Sequence, residues 1–203
     1  MKIICVGRNY VDHALELKNE IPDKPVIFLK PDTALLKDNR PFFLPPWSTE
    51  VHHEAEIVLK IAKNGKFIAE KFAHEYVSHF TLGIDFTERN LQSELKAKGL
   101  PWELAKSFDH SAVIGNWIPL SNNTDLKNLD FYLEKNNQKV QEGNTSLMLF
   151  PYDKLISFIS NYFTLKTGDL IYTGTPKGVG PVNINDHLTG FIGNEEVLNF
   201  RVK

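Results

Sequence analysis

Two glutamates two residues apart, Glu54 and Glu56, constrain the fold of this 203-residue chain more than any other feature. They alternate with a series of apolar residues, which comprises Ala55, Ile57, Leu59 and Ile61. Because successive side chains of a β-strand point to opposite faces, the pattern predicts a strand with one core face and one face bearing two carboxylates. Neighbouring carboxylates repel each other unless a cation lies between them. The strand is therefore expected either to hold a cation or, as the alternative, to lie at a sheet edge where water solvates both glutamates.

A third carboxylate, Asp85, ends a second apolar run that covers residues 80–85. Three carboxylates suit a hard divalent cation such as Mg²⁺ or Mn²⁺, which prefers oxygen ligands. We therefore predict a metal site made by Glu54, Glu56 and Asp85. Six histidines show no zinc-type spacing with cysteine and are assigned no metal; these are His52, His53, His74, His79, His110 and His187.

The bulk composition is that of an ordinary globular protein. With 42% hydrophobic and 24% charged residues, the chain can bury a core, and its length fits one domain over residues 1–203. The net charge of -2 and the lack of a basic stripe argue against nucleic-acid binding. The only cysteine, Cys5, lies in an apolar run and is expected to be buried. We find neither a signal peptide nor an apolar stretch of about 20 residues, and so expect a cytoplasmic protein that is not bound to a membrane.

The spacing of apolar residues predicts more strands than helices. Strands are expected near residues 2–6, 26–30, 54–61, 80–85, 129–135, 138–142, 169–173 and 195–202. Helices are expected near residues 9–20, 70–77, 87–98 and 152–163, the third with Thr87 as its N-cap and Gly99 as its stop. Asn64-Gly65 predicts a tight turn, and Asn136-Asn137 predicts a hairpin. Short helices among many strands indicate a strand-dominated α+β domain.

Several polar residues could carry chemistry, and each has an ordinary structural alternative. His13 and Glu16 lie three apart on a predicted helix, where they form either a general-base pair or an incidental surface pair. Lys106 lies in an apolar setting, either as a snorkelling surface lysine or as a buried cation that stabilises negative charge beside a metal.

Two further segments could contribute to a pocket. Arg89 and Gln92 share one face of the helix after Asp85, which is either a pocket wall or a solvated face. Thr175 lies in the Gly-rich segment 172–181, whose backbone N–H groups either bind an anionic oxygen or form a plain turn.

Taken together, these motifs resemble those of the fumarylacetoacetate hydrolase superfamily, in the same order along the chain. They are Gly7-Arg-Asn-Tyr-x-x-His13-x-x-Glu16, Phe28-Leu-Lys-Pro31, His53-Glu-x-Glu56, Asp85-x-Thr-x-Arg89-x-x-Gln92, Gly99-Leu-Pro-Trp-x-x-Ala-Lys-Ser-Phe108, Gln141-Glu-Gly-Asn-Thr145 and Gly168-Asp-x-Ile-x-Thr-Gly-Thr-Pro-x-Gly-Val-Gly-Pro181. The likeness is greatest to the small single-domain members of the acylpyruvase and oxaloacetate decarboxylase type. The resemblance implies a mixed β-roll with short peripheral helices, usually assembled as a homodimer.

The resemblance also implies roles for individual residues. The implied ligands of Mg²⁺, for which Mn²⁺ or Ca²⁺ could substitute, are Glu54, Glu56 and Asp85. Two of the implied catalytic residues, His13 and Glu16, form a dyad in a lid that activates water. The third, Lys106, is the cationic partner of the developing oxyanion or enolate. The implied substrate contacts are Gln92, Thr175, Arg89, Arg8 and Lys30.

One segment departs from the family pattern. Relatives commonly read Asp-x-Thr-Ala-Arg-Asp after the third ligand, whereas this chain has Glu88 and Asn90 on either side of Arg89. Because the ligand and the arginine are kept, we expect metal binding to be preserved. We expect the charge near the pocket mouth, and with it the choice of substrate, to differ.

The resemblance implies a Mg²⁺-dependent hydrolase that cleaves a C–C bond in acylpyruvates and releases pyruvate. Its alternatives are an oxaloacetate decarboxylase and an isomerase or decarboxylase of an unsaturated keto diacid in aromatic catabolism. In each case the expected partner is a small keto acid. A metal- and carboxylate-binding protein without turnover is the alternative outside the enzymes.

Overall fold

The computed structural model describes residues 1–12 and 21–203, and strands dominate that part of the chain. The strands are β1 (Ile3–Gly7), β2 (Val26–Lys30), β3 (Leu35–Leu36), β4 (Val51–His53), β5 (Ala55–Ile61), β6 (Val77–Asp85), β7 (Thr87–Glu88), β8 (Ala112–Ile114), β9 (Ile118–Pro119), β10 (Asp130–Lys135), β11 (Gln138–Asn144), β12 (Leu170–Tyr172), β13 (Gly180–Pro181), β14 (His187–Ile192) and β15 (Glu195–Arg201). The α-helices are α1 (Arg89–Ala97), α2 (Glu103–Lys106) and α3 (Tyr152–Tyr162). Short 3-10 helices span Asp32–Ala34, Glu70–Tyr76 and Thr145–Leu147. The strand-dominated α+β class is confirmed.

The largest sheet is mixed and carries the predicted metal strand in its middle. Its order is β2-β1-β12-β5-β6-β8-β3, with β9 added beside β6. The pairs β1–β12 and β3–β8 are parallel, whereas β5 pairs antiparallel with both β12 and β6. Two smaller sheets have the orders β11-β10-β14-β15 and β13-β4-β7. The curled arrangement of one mixed and two antiparallel sheets agrees with the predicted β-roll.

The core face of β5 is as predicted. Its residues Ala55, Ile57, Leu59 and Ile61 are all at most 2% exposed. Val58, on the opposite face, is also buried and packs in a second apolar cluster with Cys5 and Tyr172. Because both faces of β5 are covered and both its edges are paired, the alternative of a solvated edge strand is wrong.

Several local predictions are confirmed by backbone geometry. Asn136 and Asn137 have positive φ values of 55° and 64°, as a type I′ hairpin turn between β10 and β11 requires. Gly99 ends α1 with a φ of +66°, and the amides of Gly99 and Leu100 donate to the carbonyls of Lys96 and Leu95 over 3.1 and 2.9 Å. These two bonds form a Schellman motif.

Other local predictions are wrong. Asn64-Gly65 does not close a tight hairpin; β5 and β6 are joined through residues 62–76, and Gly65 pairs with Leu165 instead. Thr87 lies in β7, and the N-cap of α1 is Glu88, whose side chain accepts from the Leu91 amide. The helix predicted near residues 70–77, by contrast, is present, and it is a 3-10 helix over Glu70–Tyr76.

The spacing of apolar residues does not predict strand β14, in which Gly190 interrupts the apolar pattern. A Cβ atom at this position would lie 2.7 Å from Leu82 Cδ2 and 3.1 Å from Leu198 Cβ. The glycine therefore lets β14 pack closely against β6 and β15, a requirement that local propensity does not reveal. The helix predicted near residues 9–20 lies largely outside the described residues. Among the described residues, no helix combines the length and apolarity needed to cross a bilayer.

Candidate active site

The three predicted metal ligands meet at one end of two paired strands. Glu54 lies between β4 and β5, Glu56 is the second residue of β5, and Asp85 is the last residue of β6. The antiparallel register places Glu54 beside Asp85, and the Asp85 amide donates to the Glu54 carbonyl over 2.9 Å. All three side chains are buried, and one carboxylate oxygen of each lies within 4.8 Å of the others. Strand pairing therefore brings together groups that are about thirty positions apart in the sequence.

Burying three carboxylates together is costly without positive charge nearby. Burial, followed by the charges of Asp85 and Glu54, raises the pKa of Glu56 well above its ordinary value. The Gly174 amide offsets part of this effect by donating to Glu56 Oε2 over 2.7 Å. A cluster of oxygen donors at this spacing is the ligand type that Mg²⁺ and Mn²⁺ prefer. The donor set therefore fits the divalent ion that the sequence predicts.

Lys106 contacts two of these three carboxylates. Its Nζ donates to Glu54 Oε2 and Asp85 Oδ2, each over 2.8 Å, and to Thr87 Oγ1 over 2.6 Å. Burial by itself lowers the pKa of this lysine, but the carboxylates of Asp85 and Glu54 outweigh it and raise the pKa above its ordinary value. The side chain is 4% exposed, so it is not a snorkelling surface lysine. It is a buried cation at the metal-ligand cluster.

Lys30, at the end of β2, holds Asp85 from the other side. Its Nζ lies 2.6 Å from Asp85 Oδ1 as an ion pair and donates to the carbonyl and hydroxyl oxygens of Ser111, each over 3.0 Å. The Lys30 side chain is fully buried and is not part of the cleft beside the carboxylates. Its position therefore fits orientation of Asp85 better than direct contact with a substrate.

Arg89, the first residue of α1, links the helix to the ligand cluster. Its guanidinium donates to Glu54 Oε1 over 2.6 Å and to Gln92 Oε1 over 2.8 Å. Its Nε donates to His52 Nδ1 over 3.4 Å, and His52 Nε2 in turn lies 2.5 Å from Glu50 Oε1. Three polar side chains thus fix the guanidinium, which in turn holds the Gln92 amide at the edge of the site.

A narrow cleft opens beside the carboxylates. Besides the metal ligands, Arg89, Gln92 and Lys106, its walls include Arg8, Phe28, Lys96, Trp102 and Thr175. A larger cleft of about 670 Å³ lies elsewhere, with Tyr132, Glu142 and Leu147 among its walls. The larger cleft contains none of the three carboxylates, so the narrow one is the candidate active site.

The Gly-rich segment reaches the cleft through Thr175, which a buried glutamine holds in place. Gln141 Nε2 donates to Thr175 Oγ1 over 2.9 Å, while its Oε1 accepts from the Ala55 amide over 3.0 Å and lies 2.8 Å from His53 Nδ1. One amide side chain thus ties the Thr175 loop to the start of β5. Burial is the main cause of the lowered pKa of His53, about 4, which keeps this imidazole neutral.

Most of the predicted site residues converge, and some useful ones were missed. His13 and Glu16 lie outside the described residues. Thr87, Gln141 and Lys96 were not assigned to the site from the sequence. The position of Lys96, four residues after Gln92 and seven after Arg89, was a readable signal, since residues at this spacing share one helix face.

The departure from the family pattern has a structural explanation that differs from the predicted one. Glu88 Oε1 accepts from the Thr49 amide, the Thr49 hydroxyl and the Glu50 amide over 2.7–2.9 Å. Asn90 Nδ2 donates to the same Thr49 hydroxyl over 3.0 Å. Both residues therefore fasten α1 to the segment before β4. Neither side chain is among the described residues that line the cleft.

Comparison with known proteins agrees with this fold. The model of the fumarylacetoacetate hydrolase C-terminal family matches residues 2–202. The chain is 42% identical over 201 residues to the mitochondrial oxaloacetate tautomerase of Bos taurus, an alignment that covers 99% of this chain and 91% of that protein. It is 47% identical over 182 residues to the mitochondrial oxaloacetate decarboxylase of Dictyostelium discoideum, covering 89% of this chain and 84% of that protein.

A solved structure is similar over the whole fold. The fumarylpyruvate hydrolase of Pseudomonas aeruginosa, crystallised in complex with Mn²⁺ and pyruvate, superimposes with a TM-score of 0.93 at 33% identity. The match covers 100% of this chain and 89% of that one. These three similar proteins are all named as enzymes that act on keto acids. The sequence, the fold and the buried carboxylate cluster together identify the present chain as a member of the fumarylacetoacetate hydrolase family.

Proposed function

We propose that this chain is a divalent-metal-dependent enzyme that acts on oxaloacetate through its enolate, by tautomerisation or by decarboxylation. One observation carries the proposal: the buried ammonium of Lys106 lies 2.8 Å from the carboxylates of two candidate metal ligands. The relatives named oxaloacetate tautomerase and oxaloacetate decarboxylase, at 42% and 47% identity, support this substrate over the acylpyruvates that the sequence favoured.

The two reactions need the same stabilising groups. Negative charge develops on the keto oxygen of oxaloacetate when a proton leaves the adjacent carbon, and equally when CO₂ leaves it. A bound Mg²⁺ or Mn²⁺ would supply Lewis-acid stabilisation of this charge. Lys106 adds a fixed positive charge in a site with little water, where electrostatic stabilisation is strongest.

The remaining cleft residues would bind and orient the substrate. The Gln92 amide is held by Arg89, and the Thr175 hydroxyl is held by Gln141, so both present polar atoms in fixed positions. Such preorganisation limits the entropy lost on binding and keeps the leaving group aligned. The predicted dyad of His13 and Glu16 would move the proton in tautomerisation or activate water in hydrolysis.

Hydrolysis of an acylpyruvate is the second candidate. The similarity to a fumarylpyruvate hydrolase, at a TM-score of 0.93, favours it specifically. Hydrolysis differs from the oxaloacetate reactions in needing an activated water molecule. A substrate panel therefore separates the candidates: oxaloacetate, acetylpyruvate and fumarylpyruvate, each with Mg²⁺ and with Mn²⁺.

The test follows oxaloacetate enol by ultraviolet absorbance and pyruvate by a coupled assay. The wild type is expected to accelerate enol–keto exchange or pyruvate release from oxaloacetate more than it accelerates cleavage of the two acylpyruvates. Lys106→Met is expected to lower the rate on oxaloacetate by about 10²–10³-fold, the effect of losing one preorganised stabiliser of negative charge.

Lys98→Met is the matched control, because Lys98 is 59% exposed and, among the described residues, its side chain pairs only with Glu94. Circular dichroism of Lys106→Met shows whether the fold survives the loss of a buried cation. A folded Lys106→Met protein with wild-type rates would contradict the proposed role, and a wild type that acts only on acylpyruvates would contradict the proposed substrate.

Two further expectations from the sequence accompany this proposal. We propose that residues 1–203 act as one catalytic domain and that the chain forms a homodimer. Light scattering coupled to size exclusion measures the mass of the particle against the 23.2 kDa of one chain.

A further inference from the structure

Lys96 lies in the active-site cleft but has no role in the chemistry described above. It follows Arg89 by seven residues and Gln92 by four, so the three side chains share one face of α1. The side chain is half-buried and forms part of the same cleft wall as the metal ligands.

Lys96 and its neighbour Arg8 differ from the other cations of the site in their pairing. Lys106, Arg89 and Lys30 each contact Glu54 or Asp85 within 2.8 Å. Lys96 and Arg8 make no ion pair with a carboxylate of the described residues. Burial, then the positive charges of Arg8, Arg89 and Lys106, lowers the pKa of Lys96 to about 8. The cleft therefore contains positive charge that an anionic ligand would neutralise.

An aromatic pair in the cleft wall, Phe28 and Trp102, lies beside Lys96 and Lys106. Lys96 Nζ lies 5.2 Å from the centre of the Trp102 ring, and Lys106 Nζ lies 5.3 Å from the centre of the Phe28 ring. The two rings pack edge to face with their centres 6.2 Å apart. Each ammonium thus lies near one ring of the same aromatic pair, which forms an apolar part of the cleft wall. A ligand with its keto-acid end at the three carboxylates would direct a second anionic group along this apolar surface towards Lys96.

We propose that Lys96, assisted by Arg8, binds the substrate carboxylate remote from the keto-acid end and so selects dicarboxylic α-keto acids over monocarboxylic ones. The inference rests on the proposed function, in which the keto-acid end lies at Glu54, Glu56 and Asp85. It adds a specificity-determining residue that the reaction itself does not require, because Lys96 contacts none of the three carboxylates.

The test compares two ligands of equal length by calorimetry on protein loaded with Mg²⁺. α-Ketoglutarate and α-ketovalerate share a five-carbon chain and the same keto-acid end, and differ only in a distal carboxylate or methyl group. Neither ligand is a β-keto acid, so neither can lose CO₂ as oxaloacetate does, and binding is measured without turnover. The variants are Lys96→Met, Lys96→Arg and the control Lys98→Met.

The wild type is expected to bind α-ketoglutarate more tightly than α-ketovalerate. Lys96→Met is expected to weaken α-ketoglutarate binding about tenfold or more, since charge-assisted hydrogen bonds are strong, and to leave α-ketovalerate binding unchanged. Lys96→Arg is expected to restore most of the affinity, and Lys98→Met to behave as wild type.

Equal weakening of both ligands by Lys96→Met would overturn the inference, because it would mean that the lysine only shapes the cleft. Unchanged binding of both ligands, or a wild type without preference, would overturn it as well. The result of this binding test can be distinguished from the result of the activity test of the proposed function. Loss of the preference in Lys96→Met supports the inference even if oxaloacetate is not turned over, and turnover of oxaloacetate does not by itself support it.

Discussion

Single buried polar residues connect the segments that surround the cleft. Asn9 lies in the loop after β1, and its Nδ2 donates to the carbonyls of Phe150 and Thr173 over 3.0 and 2.7 Å. Its Oδ1 accepts from the Phe150 amide over 2.8 Å. The side chain is fully buried, so it satisfies three backbone groups that water does not reach. It thereby anchors the chain immediately before the segment that carries His13.

Asn9→Ala is predicted to destabilise the protein by about 3 kcal/mol, because three buried backbone groups lose their partner at about 1 kcal/mol or more each. Urea unfolding followed by circular dichroism measures the change. Asn161→Ala is the control, since Asn161 is exposed and its side chain makes no hydrogen bond among the described residues; this variant is expected to stay within about 0.5 kcal/mol of wild type. Equal stability of the two variants would contradict the structural role of Asn9.

At the scale of elements, α1 presents the polar wall of the cleft and is fixed at both ends. The Schellman motif at Gly99 ends the helix before Trp102. The Glu88 carboxylate begins it by accepting from the Leu91 amide and from the Thr49–Glu50 segment. Burial raises the pKa of Glu88, but the hydrogen bonds from Thr49, Leu91 and Glu50 outweigh burial and hold the pKa below its ordinary value. Its ionised form therefore stabilises the folded state.

Glu88→Gln is predicted to destabilise the protein by about 1–2 kcal/mol at pH 7, the usual effect of weakening a helix cap. Because the pKa of Glu88 is lower in the folded state, its charge contributes fully to the free energy of unfolding above the unfolded-state pKa of about 4.3. This contribution is lost as the pH falls through the folded-state pKa. The stability difference between wild type and Glu88→Gln should therefore shrink below about pH 4. Unfolding free energies across pH 3–7 test this, and a difference independent of pH would contradict it.

At the scale of the whole molecule, metal binding and folding are linked through the buried carboxylate cluster. A ligand that binds only the folded state stabilises it by about 2.7 kcal/mol when present at a hundred times its Kd. The residues of the cluster come from β5, β6 and the link between β4 and β5, so the unfolded chain has no such site. Mg²⁺ or Mn²⁺ should therefore raise the melting temperature.

Glu56→Gln is predicted to abolish this metal-dependent rise. Without metal, the variant should be at least as stable as wild type, because the substitution removes a buried charge from beside two other carboxylates. The oxygen of the new amide side chain can still accept a hydrogen bond from the Gly174 amide. Calorimetric melting with and without Mn²⁺ measures both effects, with the exposed Glu195→Gln as control. An undiminished metal response in Glu56→Gln would remove Glu56 from the ligand set.

The sequence by itself determined those features that depend on local patterns. The alternation around Glu54 and Glu56 sufficed to predict β5 and its buried face, and the positive-φ propensity of asparagine sufficed to predict the turn at Asn136. The motifs and their order identified the family. These features are readable because side-chain period and turn conformation are set by neighbours in the chain.

Tertiary structure alone decided how distant residues meet. The sequence did not reveal that Lys106 lies between Glu54 and Asp85 or that Lys30 fixes Asp85 from behind. It also did not reveal β14, whose glycine is required by contact with β6. The physical reason is that each of these depends on sheet order and close packing, which join residues across tens to more than a hundred positions, where no local periodicity carries information.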